Sequence, residues 1–478
     1  MISAIPAPSG VETHPDYTIH VREAGNVESV WHDVAPILAG AGTMNLAQNA
    51  LQHHPISVAS LQIDGPVEFA VHSKQITISQ ADILPSIYNI DTEVKESSSI
   101  HFVVKEAKDI MLILNDDKWN AVHLLINRID VDAPTSDTEN LWYFGPGINN
   151  GTAYDKVVNG KLLVPSNKTV YLAPGAFLDV GLHFKDVSNS GVYGPGFIYK
   201  TSSPDFIREK QGAILIEDST NISIRDVTAL STTGFSFLAG QSSNITISHY
   251  RVFTSCGNGD GLHFLSTSSV TIQNCFLRTS DDSIAINCSR WDYHGDSTDY
   301  TIRSCVLLPD IAHPILIGTH GAPARPTSIR NIHISDVDVL DHEEHQLWYQ
   351  GCIALNAGDG NLLEDISLED VRVRRITRGQ LVNIRVMQNA MWTTAPGRGV
   401  RRVRVRNLSL GVDKSGVVNA SQILGYDGGR GVRDVVFEGL KLGERIVHGD
   451  MEKPRWYMVE DFVPVFVNEH VQGLVFRR

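Results

Sequence analysis

Several features are scarce or missing in this chain of 478 residues, and each absence removes a class of function. There are only five cysteines (Cys256, Cys275, Cys288, Cys305 and Cys352), all in the second half and without CxxC spacing, so neither a zinc site nor a disulfide framework is indicated. Each lies near an expected strand, as a small buried hydrophobe would. Basic residues are outnumbered 40 to 54, the net charge is −14 and no long basic run occurs, which disfavours nucleic acid or an anionic membrane as partner. No stretch approaches the roughly 20 apolar residues of a membrane span. The start, Met1-Ile2-Ser3-Ala4-Ile5-Pro6-Ala7-Pro8, has neither a basic n-region nor an apolar run of signal length. The compartment stays open: secreted if a signal peptide was removed, otherwise cytoplasmic.

What is present is β-structure in two styles. From Tyr17 to about Asp130, alternating segments such as Tyr17–Val21, Val67–Val71, Ile100–Val104, Ile110–Leu114 and Val122–Ile126 predict a small antiparallel β-sandwich. Within it, Ile37 to Gln52 carries Ala, Leu and Met at mixed spacing and is read as a helix. The polar, proline-containing stretch Asp132–Asn140 reads as a linker, giving a sandwich over residues 1–135 and a second domain over 136–478.

Beyond the linker a motif recurs in which a turn-forming or polar residue precedes an alternating triplet. Asn221-Ile222-Ser223-Ile224 returns with first residues Asn244, Ser269, Asp299, Asn331, Asp365, Arg402 and Asp434, at offsets of 23, 25, 30, 32, 34, 37 and 32 residues. Leucine-rich repeats would show Leu at fixed positions, and helical repeats a 3.6-residue period. One strand triplet per turn at this period instead predicts a parallel β-helix whose inward Ile, Val, Leu and Phe stack on their own equivalents.

The candidate chemistry is concentrated between Cys256 and Gly321. Asp260 lies in Gly259-Asp260-Gly261, Asp281 and Asp282 in Ser280-Asp281-Asp282-Ser283, His313 in Ala312-His313-Pro314 and His320 in Thr319-His320-Gly321. Asp260 and Asp281 are 21 residues apart, about one coil, which places them on adjacent rungs about 4.8 Å apart. Like charges so close push at least one pKa up, so one acid can stay protonated while another stays ionised. Hydrolysis of a glycosidic bond needs that pair of states. Taken singly, an Asp-Gly or Asp-Asp is also ordinary turn chemistry.

At this point the sequence resembles the pectin-lyase-like right-handed β-helix glycoside hydrolases, the clan of the family 28 polygalacturonases and the family 49 dextranases. The resemblance runs from about Leu141 to the C-terminus. Asn-Thr-Asp-Gly of the polygalacturonases corresponds to Gly259-Asp260-Gly261, and Asp-Asp-Cys-Ile-Ala-Ile-Asn to Asp281-Asp282-Ser283-Ile284-Ala285-Ile286-Asn287. Gly-His-Gly followed by Ile-Gly-Ser corresponds to Ala312-His313-Pro314 followed by Ile317-Gly318-Thr319. A sandwich ahead of the helix, with Phe144-Gly145-Pro146-Gly147, resembles family 49.

The resemblance implies acid/base cleavage of an α-glycosidic bond without metal or organic cofactor, with Asp281 as general acid. Asp260 and Asp282 would hold and deprotonate water, and His313 would tune them with His320 nearby. Members of the clan invert, whereas rung spacing alone leaves retention open. The polygalacturonase Arg-Ile-Lys motif corresponds here to Gln350-Gly351-Cys352-Ile353-Ala354-Leu355, which has no cation, so an uncharged glycan is favoured, with Arg385 one coil later as a second candidate on the groove. Trp291, Trp348, Tyr349 and Trp392 fall in inserted loops where rings could stack on sugars or simply pack the loops. The enlarged loops flanking His313 lean towards cutting near a chain end. A calcium-dependent polysaccharide lyase and a non-catalytic carbohydrate-binding solenoid are the alternatives. The carbohydrate is the expected partner, and oligomeric state is left open.

Overall fold

The computed structural model describes all residues except 27, 152–153, 155, 201–211, 412–415 and 452–464. Among the described residues there is no α-helix; a single 3-10 turn spans Ser86–Tyr88. The first 128 residues fold into two facing sheets of six and five strands. Alternation explains the packing. Ile19 and Val21, Phe69 and Val71, and Ile100 and Phe102 point inward from the five-stranded sheet onto Leu61, Leu112, Val122 and Leu124 of the other. Pairing is antiparallel apart from Asp117–Arg128 against Ala50–Ile63, which run parallel.

The Ile37–Gln52 helix does not exist. Ile37–Asn45 and Ala50–Ile63 form a long antiparallel hairpin, register Ile37↔Val58 to Asn45↔Ala50. Ile37, Ala39 and Ala41 are buried at every second position, a period of two rather than 3.6, and this decides the conformation.

From Leu141 onward the chain is a parallel β-helix. All eight triplets predicted from the repeat lie in stacked strands: Ile222, Ile245, Val270, Tyr300, Ile332, Ile366, Val403 and Val435 are successive register partners. Every one of these side chains is at most 1% exposed and belongs to one continuous core. Each fully buried aliphatic contributes about 1.5–3 kcal/mol. The residue that opens each triplet has a reason to be a turn former: Asn221, Asn244, Ser269, Asp299, Asn331, Asp365, Arg402 and Asp434 all have φ between 52° and 63°. That left-handed corner is where Asn and Asp are tolerated best, and here their amides also ladder, Asn244 Nδ2 donating to Asn221 Oδ1 at 3.2 Å and Asn331 Nδ2 to Asp299 Oδ1 at 2.9 Å. A second, twelve-stranded face carries Phe235–Gly240, Leu262–Leu265, Ile284–Asn287, Ile315–Gly318, Ile353–Ala357 and Val382–Val386 in order.

The sandwich is docked along the helix. Ile37, Ala39, Ala41, Ile56 and Val58 share a core with Phe177, Phe197, Phe253, Phe276 and Leu308. Buried charges reinforce the seam. Arg251 grips Asp109 with two hydrogen bonds of 2.7 and 3.0 Å, and Lys118 lies 2.9 Å from Asp341 and 3.7 Å from Asp310, which Arg278 also holds.

Candidate active site

Register places the candidate residues. Phe237, Leu262, Ile284, Ile315 and Ile353 are successive partners, so the residues two positions before them, Phe235, Asp260, Asp282, His313 and Gly351, are equivalent points on consecutive coils. Ladder bonds fix this column: Ser236 N donates to Asp260 O (2.8 Å), Gly261 N to Asp282 O (2.9 Å) and Ser283 N to His313 O (2.8 Å). The direct rung neighbour of Asp260 is therefore Asp282, and Asp281 sits one residue upstream of the column, a correction to the 21-residue spacing expected from sequence.

The loops around the acids are tied together by small residues. Ser280 Oγ donates to Cys256 O at 2.6 Å, Thr254 Oγ1 donates to Gly259 O at 2.8 Å, and Thr279 Oγ1 donates to Asp281 O at 2.7 Å. Gly259 leaves room for these bonds, since a Cβ there would fall 2.2 Å from Ser280 Oγ and 2.9 Å from Thr254 Oγ1 and displace both hydroxyls. Left-handed backbone at Trp291 (φ 55°), Ala312 (φ 72°) and Thr319 (φ 60°) is costly for these side chains, on the order of 1–3 kcal/mol each.

Burial and the closeness of the carboxyls act on the group together. Burial, then the neighbouring Asp260 and Asp282, push the Asp281 carboxyl well above the usual range. Burial and Asp282 do the same to Asp260, with Arg290 opposing. Asp282 accepts from both the backbone N–H (3.0 Å) and Nδ1 (2.7 Å) of His313, whose Nε2 donates to Tyr349 O. Burial acts to lower the His313 pKa, but Asp282 and Glu344 outweigh it and raise it to about 9. Asp281, its carboxyl raised, thus stands beside Asp282, which accepts twice from His313. Acid/base cleavage can use a raised carboxyl next to one held by an imidazole.

Four participants were not singled out from the sequence. His263 Nδ1 lies 2.6 Å from Asp260 Oδ2, and burial followed by Arg290 lowers its pKa to about 3, so it is neutral. Asn287 Nδ2 approaches the other His263 nitrogen at 3.4 Å, and Asn287 Oδ1 accepts from His320 N. Glu344 is buried behind His313, and burial raises it to about 7 against the opposing pull of His313. Arg290 stacks on Trp291, its Cζ 4.6 Å from the ring, and its charge is felt at Asp260, Asp281 and Asp282. The alternation of Gly261-Leu262-His263 was the one available signal, since it points His263 out of the core three residues after Asp260.

The proposed substrate contacts separate. Trp291 packs near Phe235, and His320 lies beside His263 and Arg290, both within the acid group's surroundings. Tyr349 is buried, edge-on to His313 at 4.6 Å and stacked on Trp392 at 5.6 Å, with its hydroxyl donating to Thr319 Oγ1. Trp348 is 73% exposed. Arg385 donates to the Trp348 carbonyl, two coils beyond His313. A cleft of about 1010 Å³ between sandwich and helix, lined by Asp109, Arg251 and Arg372, contains none of the acids.

With this geometry in hand, comparison with known proteins is informative. Residues 176–344, which hold the whole Asp260–His313 column, match the model of "Glycosyl hydrolases family 28". Dex49A from Penicillium minioluteum superimposes with a TM-score of 0.61 over 99% of this chain and 96% of its own, at 11% identity. The chain is thus similar to family 28 glycoside hydrolases over that segment, and it shares its fold with a β-helical dextranase structure. A polygalacturonase from Chamaecyparis obtusa is 23% identical over 136 residues, 28% of this chain, and the match spans a quarter of that protein's length. A Yersinia enterocolitica family 28 exopolygalacturonase aligns over 85% of this chain and 96% of its own with 12% identity and a TM-score of 0.45.

Proposed function

We propose that this protein hydrolyses an α-glycosidic bond of an uncharged oligo- or polysaccharide with inversion of configuration. The observation that carries the reading is the column Asp260–Asp282–His313 with Asp281 beside it, Asp260 and Asp281 both raised by burial and their neighbours and Asp282 bonded to His313. Asp281, kept protonated by burial and its neighbours, donates a proton to the leaving oxygen. Asp282, bonded to His313, takes the proton of a water molecule on the other side of the sugar, and Asp260, raised like Asp281, helps to hold that water by hydrogen bonding. Loss of such a proton donor commonly costs about 10² to 10⁴ in rate. The coil that corresponds to the polygalacturonase cation motif, Gln350-Gly351-Cys352-Ile353-Ala354-Leu355, carries no cation, which supports an uncharged substrate.

A second substrate reading, a uronate-containing glycan, is favoured by Arg290, whose guanidinium makes no ion pair among the described residues and faces the acids. Both are tested together by incubating the enzyme with neutral α-glucans, galactans, arabinans and polygalacturonate. Proton NMR then reads the first product anomer. Release of neutral sugars with an inverted anomer is the expected result. Retention refutes the mechanism, and rapid uronate release that depends on Arg290 replaces the substrate.

A further inference from the structure

The sandwich hairpin Ile37–Asn45/Ala50–Ile63 reaches the loops that carry the candidate acids. At Gly40 a Cβ would fall 2.5 Å from Ser255 Oγ, and at Gly42 it would lie 3.2 Å from Ser255 O and 3.3 Å from Ser280 Cβ. Ser255 and Ser280 immediately precede the Cys256–Gly261 and Asp281–Ser283 segments, so glycine lets the hairpin lie flush against the backbone that positions Asp260 and Asp281. Further along the same row, Lys118 of the sandwich pairs with Asp341 and lies 3.6 Å from Glu343, next to the Glu344 that backs His313. The sandwich thus borders the acid-bearing loops from the Asp260 coil to the Glu344 coil.

Three properties of the hairpin do not fit a purely structural strap. It continues past these contacts into a solvent-exposed tip, Leu46–Ala50, with Leu46 46% exposed. Beyond Leu38, the outer edge of Ile37–Asn45 makes no backbone hydrogen bond outside its own hairpin among the described residues. From Val34 to Ile63 there is no Asp, Glu, Lys or Arg, in a chain where such residues make up 20%. Exposed strand edges are normally protected by charge. Here the edge and tip offer amides, Asn45, Gln48, Asn49 and Gln52, interleaved with Met44, Leu46 and Leu51. Amides that donate and accept, set among apolar surfaces, suit the hydroxyls and C–H faces of an uncharged sugar chain.

We infer that the hairpin of the N-terminal sandwich is a wall of the cleft that binds the uncharged glycan chain beyond the sugars held at Asp260, Asp281 and Asp282. This rests on the glycosidase reading above and adds a binding segment to it. A purely self-associating edge is the competing use of the same surface.

The test is the variant Gln48→Glu/Gln52→Glu together with Leu46→Asp, all at exposed or tip positions where folding is little affected. With dextran as polymer and an aryl isomaltoside as short substrate, KM for the polymer is expected to rise about tenfold, equivalent to 1.4 kcal/mol of lost binding. The short substrate and kcat should change less than about twofold, since remote binding lost equally from ground and transition states appears in KM. Gel retardation by dextran in an Asp281→Asn background gives a reading independent of turnover, and the hairpin variants are expected to lose it. Wild-type hydrolysis with unchanged polymer KM in the variants overturns the inference while leaving the glycosidase intact. A wild type that cleaves nothing, yet is retarded through the hairpin, overturns the glycosidase alone; no retardation with no cleavage overturns both. Sedimentation showing a wild-type dimer that Leu46→Asp dissociates, with polymer KM unchanged, assigns the edge to self-association.

Discussion

His313 donates to the same oxygen of Asp282 twice, from its backbone N–H at 3.0 Å and from Nδ1 at 2.7 Å. The two residues occupy the same position on consecutive coils, so the pairing follows from register rather than from a chance approach of loops. His313, its own pKa raised to about 9, holds Asp282 in this way, while burial and the neighbouring carboxyls drive Asp281, one residue away, towards its protonated form.

Asp281→Asn should lower turnover by about 10² to 10⁴ without changing the melting temperature. Among the described residues its carboxylate accepts one hydrogen bond, from Asp282 N at 3.0 Å, and an amide oxygen can still accept it. Calorimetry beside initial rates checks this; near-normal activity would reduce the acids to turn formers.

His313 predicts a pH signature in stability. Its folded pKa is raised to about 9 from an ordinary 6.5, so the stabilisation it gives is complete below the ordinary value and is lost as pH rises through 9. Urea midpoints should therefore fall between about pH 6.5 and 9 in the wild type. In His313→Asn that slope should flatten. A variant with the wild-type slope would assign the loss to other groups.

Gly261 is pinned by backbone: a Cβ there would meet Ser283 O at 2.5 Å. Gly261→Ala is expected to cost about 1–3 kcal/mol and to impair catalysis, because relief must come from shifting the rung that carries Asp282. Denaturant titration and kcat measured on the same preparation provide the check.

Arg251 and Asp109 join helix to sandwich while almost wholly buried. Arg251→Ala, which strands a buried carboxylate, should cost about 3–5 kcal/mol, whereas Arg251→Met combined with Asp109→Leu should recover most of it. Equal losses in both would mean that the pair contributes through its attraction rather than by avoiding an unpaired charge.

The β-helix was legible in the sequence because its core repeats: Ile222, Ile245, Val270 and their successors fill the core wherever the coil turns inward, and Asn or Asp marks the corner before all of them but Val270 and Val403. The acids were legible for the same reason, being turn residues at a fixed phase of that repeat. The hairpin was not. Gly40 and Gly42 interrupt the alternation of Ile37, Ala39 and Ala41, and they are glycine because of Ser255 and Ser280, more than 200 positions away. Arg290 and Glu344 escaped notice likewise, since they lie in insertions whose placement depends on how the neighbouring coils stack. The 21-residue spacing mistook the column for Asp260–Asp281 because one residue of difference in coil length shifts the phase, and only the pairing Leu262↔Ile284 resolves it.

Because Asp260, Asp282 and His313 are supplied by three successive coils, the length of the site along the axis comes in whole steps of about 4.8 Å. Evolution can change what each step presents by single substitutions, but it can lengthen the spacing between them only by adding an entire coil. A descendant that needs a different reach must therefore obtain it at right angles to the axis, by growing or trimming the loops, while the spacing of the three column residues stays quantised by the hydrogen bonds of the backbone.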